Sequence, residues 1–113
     1  MYQINGKQFP CHTSVTMGII GGKWKAAILY YLIEGTLRYS ELKKKMEGVT
    51  ERTLSLQLKR MEQDGVIKKK VYHTKPPLRV EYSLTEFGKT LIPLLRHISE
   101  WGVHAVQHHE QAE

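Results

Sequence analysis

The fold is decided by residues 38–65, which have the sequence RYSELKKKMEGVTERTLSLQLKRMEQDG. Apolar residues recur in this stretch three or four positions apart, as on the buried face of a helix. They are Leu42 and Met46 in the first half and Leu54, Leu58 and Met61 in the second. Gly48 lies between the halves, and two helices joined by a short glycine-containing turn are the signature of a helix-turn-helix. We therefore assign residues 38–65 to this motif.

Polar residues and glycines mark the ends of the two helices. Ser40 and Thr50 precede the apolar positions, and their side-chain oxygens can accept a free amide of the first turn, so we predict both as N-caps. Gly48 and Gly65 follow the apolar positions and suit the left-handed conformation that ends many helices. The second of the two helices is the predicted recognition helix.

An arm and two helices are predicted upstream of the motif. Residues 1–12 show no apolar period, so we expect an arm rather than a helix. A first helix follows, with Thr13 or Ser14 as its N-cap, and stops at the glycine pair 21–22. The core helix follows and completes the segment 13–37. It ends at Gly35, and its apolar stripe consists of Trp24, Ala27, Ile28, Tyr31 and Leu32.

Downstream of the motif the apolar period changes to two residues, which predicts strands. One face of these strands consists of Ile67, Lys69, Val71, Val80, Tyr82 and Leu84. Pro76 and Pro77 lack amide donors and prevent continued pairing between the two runs. We therefore assign residues 66–84 to a two-stranded hairpin, the wing, with a projecting tip at residues 73–78.

The last segment, residues 85–113, is predicted to be helical and more apolar than one small domain can cover. Thr85 suits its N-cap, and Pro93 should kink the helix or split it in two. The apolar positions are Phe87, Leu91, Leu94, Ile98, Trp101 and Ala105. Because little chain remains to bury this stripe, we expect a second copy to cover it in a two-fold dimer.

These segments together predict an α+β fold, mainly α: a winged helix-turn-helix in one domain over residues 1–113. The chain has 113 residues, of which 41% are hydrophobic, enough for one modest core. No Gly-rich phosphate loop, nucleophile elbow or carboxylate pair is present, so we expect neither an enzyme nor a cofactor. His104 and His108 could supply two metal ligands, but nothing completes a set, so we expect no metal site.

The charge distribution favours a polyanionic partner. The chain has 17 Lys and Arg against 11 Asp and Glu, a net charge of +6. Twelve of the basic residues and only five of the acidic ones lie between Arg38 and Arg79. The simpler alternative is a solvated basic face, but a basic stretch that coincides with a helix-turn-helix points to DNA.

The sequence also carries expectations about location. It contains no apolar run long enough to span a bilayer and no signal-peptide pattern, so we expect a cytoplasmic protein without a membrane partner. Its one cysteine, Cys11, cannot form a disulfide within its own chain. Any disulfide would have to link two chains.

Beyond these patterns, the chain resembles the HxlR-type winged-helix transcription factors of bacteria. The matching stretches are IGGKW (20–24), RYSEL (38–42), LSLQL (54–58), DG (64–65) and VEYSLT (80–85) with Gly88. The resemblance implies a dimer held by the first and last helices, with Val15 and Ile19 of the first helix at the interface. It also implies recognition helices in successive major grooves and wings on the flanking backbone. His12 and Leu56 depart from the family pattern, which usually has a proline and a polar residue at these positions.

Placing the apolar stripe of the recognition helix inward assigns the DNA contacts. Arg52 suits a guanine and Gln57 an adenine, whereas Leu56 either meets a thymine methyl or covers the wing strand. Phosphate contacts require cations, hydroxyls or helix N-termini. The full set of predicted DNA-contacting residues is Arg38, Ser40, Lys43, Thr50, Arg52, Thr53, Ser55, Leu56, Gln57, Lys59, Lys75 and Arg79. We expect the lysines at 68–70 to serve solvation and long-range steering.

The sequence thus predicts a homodimeric regulator that binds an inverted repeat in double-stranded DNA, with a winged-helix protein-interaction module as the alternative. The inducing signal is not predicted. Cys11 lies just before a helix N-terminus and beside His12, and both features favour a reactive thiolate. It is therefore a candidate sensor of oxidants or electrophiles, although a buried, unreactive thiol is the simpler alternative.

Overall fold

The computed structural model describes residues 1–73 and 75–111, so Thr74 of the predicted wing tip and residues 112–113 lie outside the described part. The helices are α1 (His12–Ile20), α2 (Lys25–Tyr31), α3 (Tyr39–Lys45), α4 (Glu51–Gln63), α5 (Glu86–Lys89) and α6 (Ile92–Gln111). The strands are β1 (Tyr2–Ile4), β2 (Lys7–Phe9), β3 (Leu37–Arg38), β4 (Ile67–His73) and β5 (Arg79–Leu84). This mainly helical chain with a small antiparallel sheet confirms the predicted α+β winged helix-turn-helix. None of the described helices is both long and apolar enough to cross a bilayer.

One apolar core joins the helices to the sheet. Its fully buried members include Ile28 and Leu29 of α2 together with Leu95 of α6. The predicted inward residues of the motif, Leu42, Met46, Leu54, Leu58 and Met61, are all buried as well. Burying these side chains contributes roughly 1.5–3 kcal/mol each. The core therefore fixes α3 and α4 against α2, and with them the outward faces of the motif.

Helix α4 begins and ends where the sequence predicts. The Thr50 hydroxyl oxygen accepts the amide of Thr53 at 3.1 Å, which confirms the N-cap. Gly65 follows the helix with a φ of +78°, a conformation that an L side chain rarely adopts. The short turn from Met46 to Thr50 orients α4 relative to α3.

The sheet that contains the wing has three strands, whereas the sequence predicts two. Its order is β3-β5-β4, with Ile67 opposite Leu84 and Lys69 opposite Tyr82. The additional strand β3 is only two residues long and pairs Leu37 with Tyr82 on the other edge of β5. This strand carries no pattern of its own and forms only because β5 offers a free edge.

The N-terminal segment is a β-hairpin. It is not helical, as expected, but its two strands were not predicted. Strand β1 pairs with β2, and the turn between them is Asn5-Gly6, with φ values of +51° and +77°. Asn-Gly is the dipeptide that best suits a two-residue turn with positive φ at both positions. This signal was present in the sequence.

Three helix boundaries differ from the prediction. Helix α1 starts after Cys11 rather than after Thr13 or Ser14, and α3 starts after Arg38 rather than after Ser40. At α3 the Glu41 carboxylate accepts the amide of Arg38 at 2.8 Å, so the first turn is satisfied without a hydroxyl cap. Helix α2 is also shorter than predicted, because it ends at Tyr31 and a turn leads from there to Gly35.

The C-terminal segment splits in two, as the proline predicts. Thr85 caps α5 through its hydroxyl oxygen, which accepts the amide of Gly88 at 2.9 Å. Pro93 is the second residue of α6, where its missing amide costs no helical hydrogen bond. The chain has a radius of gyration of 15.7 Å, compared with about 13 Å for a compact domain of similar length. The molecule is therefore elongated, with a 20-residue final helix.

Candidate nucleic-acid interface

The outward face of α4 carries charged and polar side chains. Arg52, Ser55 and Lys59 are exposed, whereas Thr53 and Gln57 are half-buried. The hydroxyl of Thr50 donates to the hydroxyl of Thr53 at 3.0 Å, so both threonines are already engaged in the helix cap. Leu56 is 44% exposed and does not belong to the buried core.

A groove of about 360 Å³ separates the helix-turn-helix from the wing. It brings together four of the predicted DNA-contacting residues, namely Arg38, Ser40, Ser55 and Arg79. Its lining also includes Tyr82, whose pKa is raised to about 12 by burial, with smaller effects of Glu62 and Tyr39. Arg38 and Arg79 make the groove cationic at neutral pH, where the phenol of Tyr82 is uncharged.

Tyr39 connects the two helices of the motif beside this groove. Its Oη lies 3.3 Å from the backbone oxygen of Glu51 and 3.3 Å from Oγ of Ser55. These contacts join the first turn of α3 to the first turns of α4. These contacts hold Ser40 of α3 and Ser55 of α4 on the same wall of the groove.

Glu81 holds Arg79 in place on the wing. The guanidinium lies 3.0 Å from the Glu81 carboxylate and 5.1 Å from the centre of the Tyr72 ring. Desolvation raises the pKa of Glu81, but hydrogen bonds from Arg79 and Tyr72 and the nearby Arg38 outweigh it, so this pKa is lowered overall. The carboxylate therefore stays charged and orients Arg79 at the groove.

Sequence reasoning missed Lys69. This residue was grouped with its neighbours as part of a solvated triplet, but its side chain lines the groove from β4. Its partner across the sheet is Tyr82. The signal was available, since the period of two had already placed Lys69 on the face shared with Tyr82.

The other predicted contacts lie outside the groove. Lys43 is half-buried on α3, and Lys75 is exposed in the wing tip. Arg52, Gln57 and Lys59 belong to the face of α4 and not to the groove lining. The candidate interface thus has three parts, which are the α4 face, the groove and the wing tip.

Cys11 is exposed at the N-cap of α1. Its backbone amide donates to Oγ of Ser14 at 3.2 Å, and its Sγ lies 3.6 Å from the same oxygen. Hydrogen bonds from the side chain and backbone of Ser14, and from the backbone of Thr13, hold the pKa of the thiol below its ordinary value despite some desolvation. The expectation of a buried thiol is therefore wrong for this chain.

The N-terminal hairpin contacts the far end of α4. Asn5 Nδ2 donates to the backbone oxygen of Gln63 at 3.2 Å and to Oδ1 of Asp64 at 2.9 Å. At the other end of the hairpin, Phe9 packs so closely on Gly18 that a β carbon there would lie 2.7 Å from the ring. The hairpin therefore connects α1, where Cys11 lies, with the last turn of α4.

The predicted interface residues of the first helix and of the C-terminal segment divide into two groups. Phe87, Leu94, Ile98 and Trp101 are exposed, with Trp101 at 68%. Ile19 and Leu91 are half-buried against the core of their own chain. Val15 and Ala105 are also half-buried. The structure therefore leaves an apolar stripe along one side of α6 without cover from the described residues.

Comparison with known proteins gives a consistent result. A model of the family described as HxlR-like helix-turn-helix matches residues 19–110. The uncharacterized HTH-type transcriptional regulator YdeP of Bacillus subtilis is 51% identical over 92 residues, covering 81% of this chain and 71% of YdeP. YkvN, another such regulator of the same organism, is 41% identical over 108 residues, covering 95% of this chain and 91% of YkvN.

Solved structures agree with the sequence relatives. The redox regulator HypR in its oxidised form superimposes with a TM-score of 0.78 at 44% identity, covering 83% of this chain and 96% of HypR. Its reduced form superimposes with a TM-score of 0.80 at 41% identity, covering 88% of this chain and 97% of HypR.

Proposed function

Because the chain belongs to the HxlR-like helix-turn-helix family, we propose that it is a transcriptional regulator that binds an inverted repeat in double-stranded DNA as a homodimer. The observation that carries the proposal is the cationic surface formed by the α4 face, the groove and the wing tip. Arg38, Lys69 and Arg79 converge on the groove from three different elements. Such a surface suits the DNA backbone, whose phosphates supply much of the affinity.

Base contacts are assigned to the α4 face. Arg52 lies in the first turn, where a guanidinium can donate two hydrogen bonds to guanine in the major groove. Leu56 is exposed and does not line the groove between α4 and the wing, which favours its use against a thymine methyl. Gln57, half-buried beside it, is the candidate for adenine. Phosphate contacts fall to Ser40, Lys43, Lys59, Lys75 and the groove cations.

The argument for a homodimer comes from the exposed apolar stripe of α6. Leu94, Ile98 and Trp101 lie on one side of a helix within an elongated chain, and their exposure is costly for a monomer. A two-fold axis through this stripe would present two α4 helices to half-sites about one turn of DNA apart, or a multiple of it. We place such a regulator in the cytoplasm, and the proposal includes no enzymatic step.

Base and phosphate contacts can be separated by substitution. We expect Arg52→Ala to weaken operator binding by about 1–3 kcal/mol and to relax the preference at one base pair, because a forked donor to a base is lost. Lys75→Ala should weaken binding to all DNA sequences alike. It should also reduce the slope of log affinity against log salt concentration by about one, the amount expected for one lost phosphate contact. Selecting bound fragments from random DNA, followed by titrations at several salt concentrations, measures both effects.

Two outcomes would contradict this assignment. If both variants lost affinity equally on operator and scrambled DNA, Arg52 would not contact a base. If the unmodified protein bound no oligonucleotide better than heparin, the DNA-binding proposal itself would fail, leaving a protein-interaction module.

We further propose that Cys11 senses oxidants or electrophiles. The thiol is exposed, its pKa is lowered by Ser14 and Thr13, and two similar solved structures are those of a redox regulator. An oxidant such as diamide would remove two electrons from the Cys11 thiols of two chains, join them as a disulfide and keep both protons. An electrophile would add to one thiolate.

The pH dependence of alkylation tests the lowered pKa. Only the thiolate reacts with iodoacetamide, so the rate for the folded chain should reach half its maximum at a lower pH than for the chain unfolded in urea. Ser14→Ala should move the midpoint upward, because a stabilising hydrogen bond is lost. Diamide should change operator affinity in the parent but not in Cys11→Ser. Equal midpoints in folded and unfolded chains, or an identical diamide response in Cys11→Ser, would contradict the proposal.

A further inference from the structure

A second concave site lies beside β3, where Leu37 lines it and the next residue, Arg38, lines the groove. A cleft of about 290 Å³ is bounded by the end of α2, the segment 33–37 that leads into β3, the end of α3 and the first turns of α6. Its volume lies just below the ~300–1,000 Å³ typical of small-molecule sites. The cleft is therefore large enough for a ligand of about one ring.

The lining combines two cations with two aromatic rings. Lys45 and Arg96 reach the cleft from α3 and α6, and Tyr30 and Tyr31 reach it from α2. The two tyrosine rings are close to perpendicular, with centres 6.1 Å apart, and Nζ of Lys45 lies 5.6 Å from the centre of Tyr31. The rings offer stacking surface and the cations offer charge-assisted hydrogen bonds.

The charge balance of the cleft favours an anion. Glu34 is the acidic residue of the lining, so the side chains sum to a net charge of +1. Within residues 1–73 and 75–111, neither Lys45 nor Arg96 forms a salt bridge. A guanidinium and an ammonium without an ion-pair partner, beside aromatic faces, match the carboxylate and the ring of a small aromatic acid.

The cleft is separate from both surfaces already assigned. None of the twelve predicted DNA-contacting residues lines it. Arg96 follows Leu94 by two residues, which places it about 200° around α6 from the exposed stripe. A dimer formed through that stripe would therefore leave the cleft open.

We propose that this cleft binds a small aromatic carboxylate, with Arg96 and Lys45 holding the carboxylate and Tyr30 and Tyr31 contacting the ring. Because the two cations belong to different helices, a bound anion draws the end of α3 toward α6. Helix α3 is the first helix of the DNA-binding motif, so the same ligand changes operator affinity. This regulatory part rests on the proposed DNA-binding function, whereas the binding part does not.

The binding site is tested without DNA. The full-length chain, labelled with ¹⁵N, is titrated with 4-hydroxybenzoate, with 4-hydroxybenzyl alcohol as the neutral probe and tyramine as the cationic probe. We expect saturable amide shifts for 4-hydroxybenzoate at residues 30–37, Lys45 and Arg96. Losing one charged hydrogen bond should weaken binding about tenfold in Arg96→Gln, and the alcohol should bind about tenfold more weakly than the acid. Lys44→Gln is the matched control, since Lys44 is exposed next to Lys45 but does not line the cleft, and it should leave affinity unchanged.

Several results would overturn the binding site. These are equal affinity for the three probes, tighter binding of tyramine, the absence of saturable shifts, or shifts centred on Arg38 and Arg79 in the groove. The chain with Arg96→Gln should keep the parent spectrum apart from residues near the substitution, because Arg96 is exposed.

Regulation is tested by operator titrations with and without 4-hydroxybenzoate. We expect the probe to change the operator affinity of the parent at least about fivefold, as coupled sites commonly do, and to leave that of Arg96→Gln unchanged. If the probe occupies the cleft without altering DNA affinity, the regulatory part is wrong and the binding part stands. If the parent binds no DNA at all, the proposed function fails, and the ¹⁵N titration still decides the site.

Discussion

Gly88→Ala is expected to lower the free energy of unfolding by about 3 kcal/mol, near the upper end of the usual cost of overpacking. A β carbon at Gly88 would overlap the backbone oxygen of Val66 and lie 2.9 Å from its carbonyl carbon. Neither neighbour is a flexible side chain that could move aside. Urea denaturation of the purified chain measures the loss.

Hydrogen bonds around Gly88 prevent α5 from moving away to relieve the overlap. The amide of Thr85 donates to the oxygen of Val66 at 3.1 Å, and the Thr85 hydroxyl donates to the oxygen of Gly65 at 2.6 Å. The same hydroxyl accepts the amide of Gly88. Shifting α5 would break this set, which also fixes the end of β5 beside the end of α4.

Gly102→Ala is the matched control for this prediction. Both glycine variants are compared in the Trp101→Asp background, because Gly102 lies about 40° from Ile98 around α6 and hence beside the stripe proposed as the dimer interface. Gly102 lies inside α6, and apart from its chain neighbours and the backbone of its own helix, a β carbon there meets no atom of the described chain within 4 Å. Replacing a helical glycine by alanine commonly stabilises by about 0.5–1 kcal/mol. A loss of stability at Gly102 equal to that at Gly88 would show that helical glycine as such, and not the overlap with Val66, is responsible.

Trp101→Asp is expected to convert the proposed dimer to a monomer at micromolar concentration and to weaken operator binding about 100-fold or more. A carboxylate buried in an apolar interface without a partner is strongly unfavourable. Two linked half-site contacts gain a factor of about 10²–10⁴ over one, and this factor is lost when the protomers separate. Sedimentation velocity and operator titration measure the two effects.

Val103→Asp provides the control on the same helix. Val103 is 57% exposed, close to the 68% of Trp101, but lies about 200° around α6 from it. We expect this variant to remain dimeric with operator affinity within about twofold of the parent, as for an ordinary surface substitution. Circular dichroism should show both variants folded, since neither side chain belongs to the core. A monomeric Val103→Asp, or a dimeric Trp101→Asp, would move the interface away from the predicted stripe.

Features of the fold that depend on neighbouring residues were predictable from the sequence. Thr50 and Thr85 are recognisable as caps because the hydroxyl and the amide it accepts lie three residues apart. The buried faces of α3 and α4 were predictable as well, because they consist of apolar residues three or four positions apart. The start of α3 was not predictable from a search for hydroxyls, because Glu41 satisfies the amide of Arg38 from within the helix.

Features that depend on distant segments were not predictable in this way. Strand β3 exists because Leu37 and Arg38 find a free edge on β5, more than forty residues later in the chain. The cleft at Arg96 needs α2, α3 and α6 in one place, and no local pattern brings them together. For the DNA surface, the sequence supplied the residue types, and the structure added Lys69 and the arrangement around the groove.

The hydrogen bonds of Asn5 have a mechanical consequence. They join positions 58 and 59 residues apart, so the first strands of the chain support the end of the helix assigned to the major groove. When the hairpin detaches, the oxygen of Gln63 loses its donor and the final turn of α4 can fray. A bulky fusion ahead of Met1 that pulls on the first nine residues is therefore expected to loosen the far end of the helix that we propose contacts DNA.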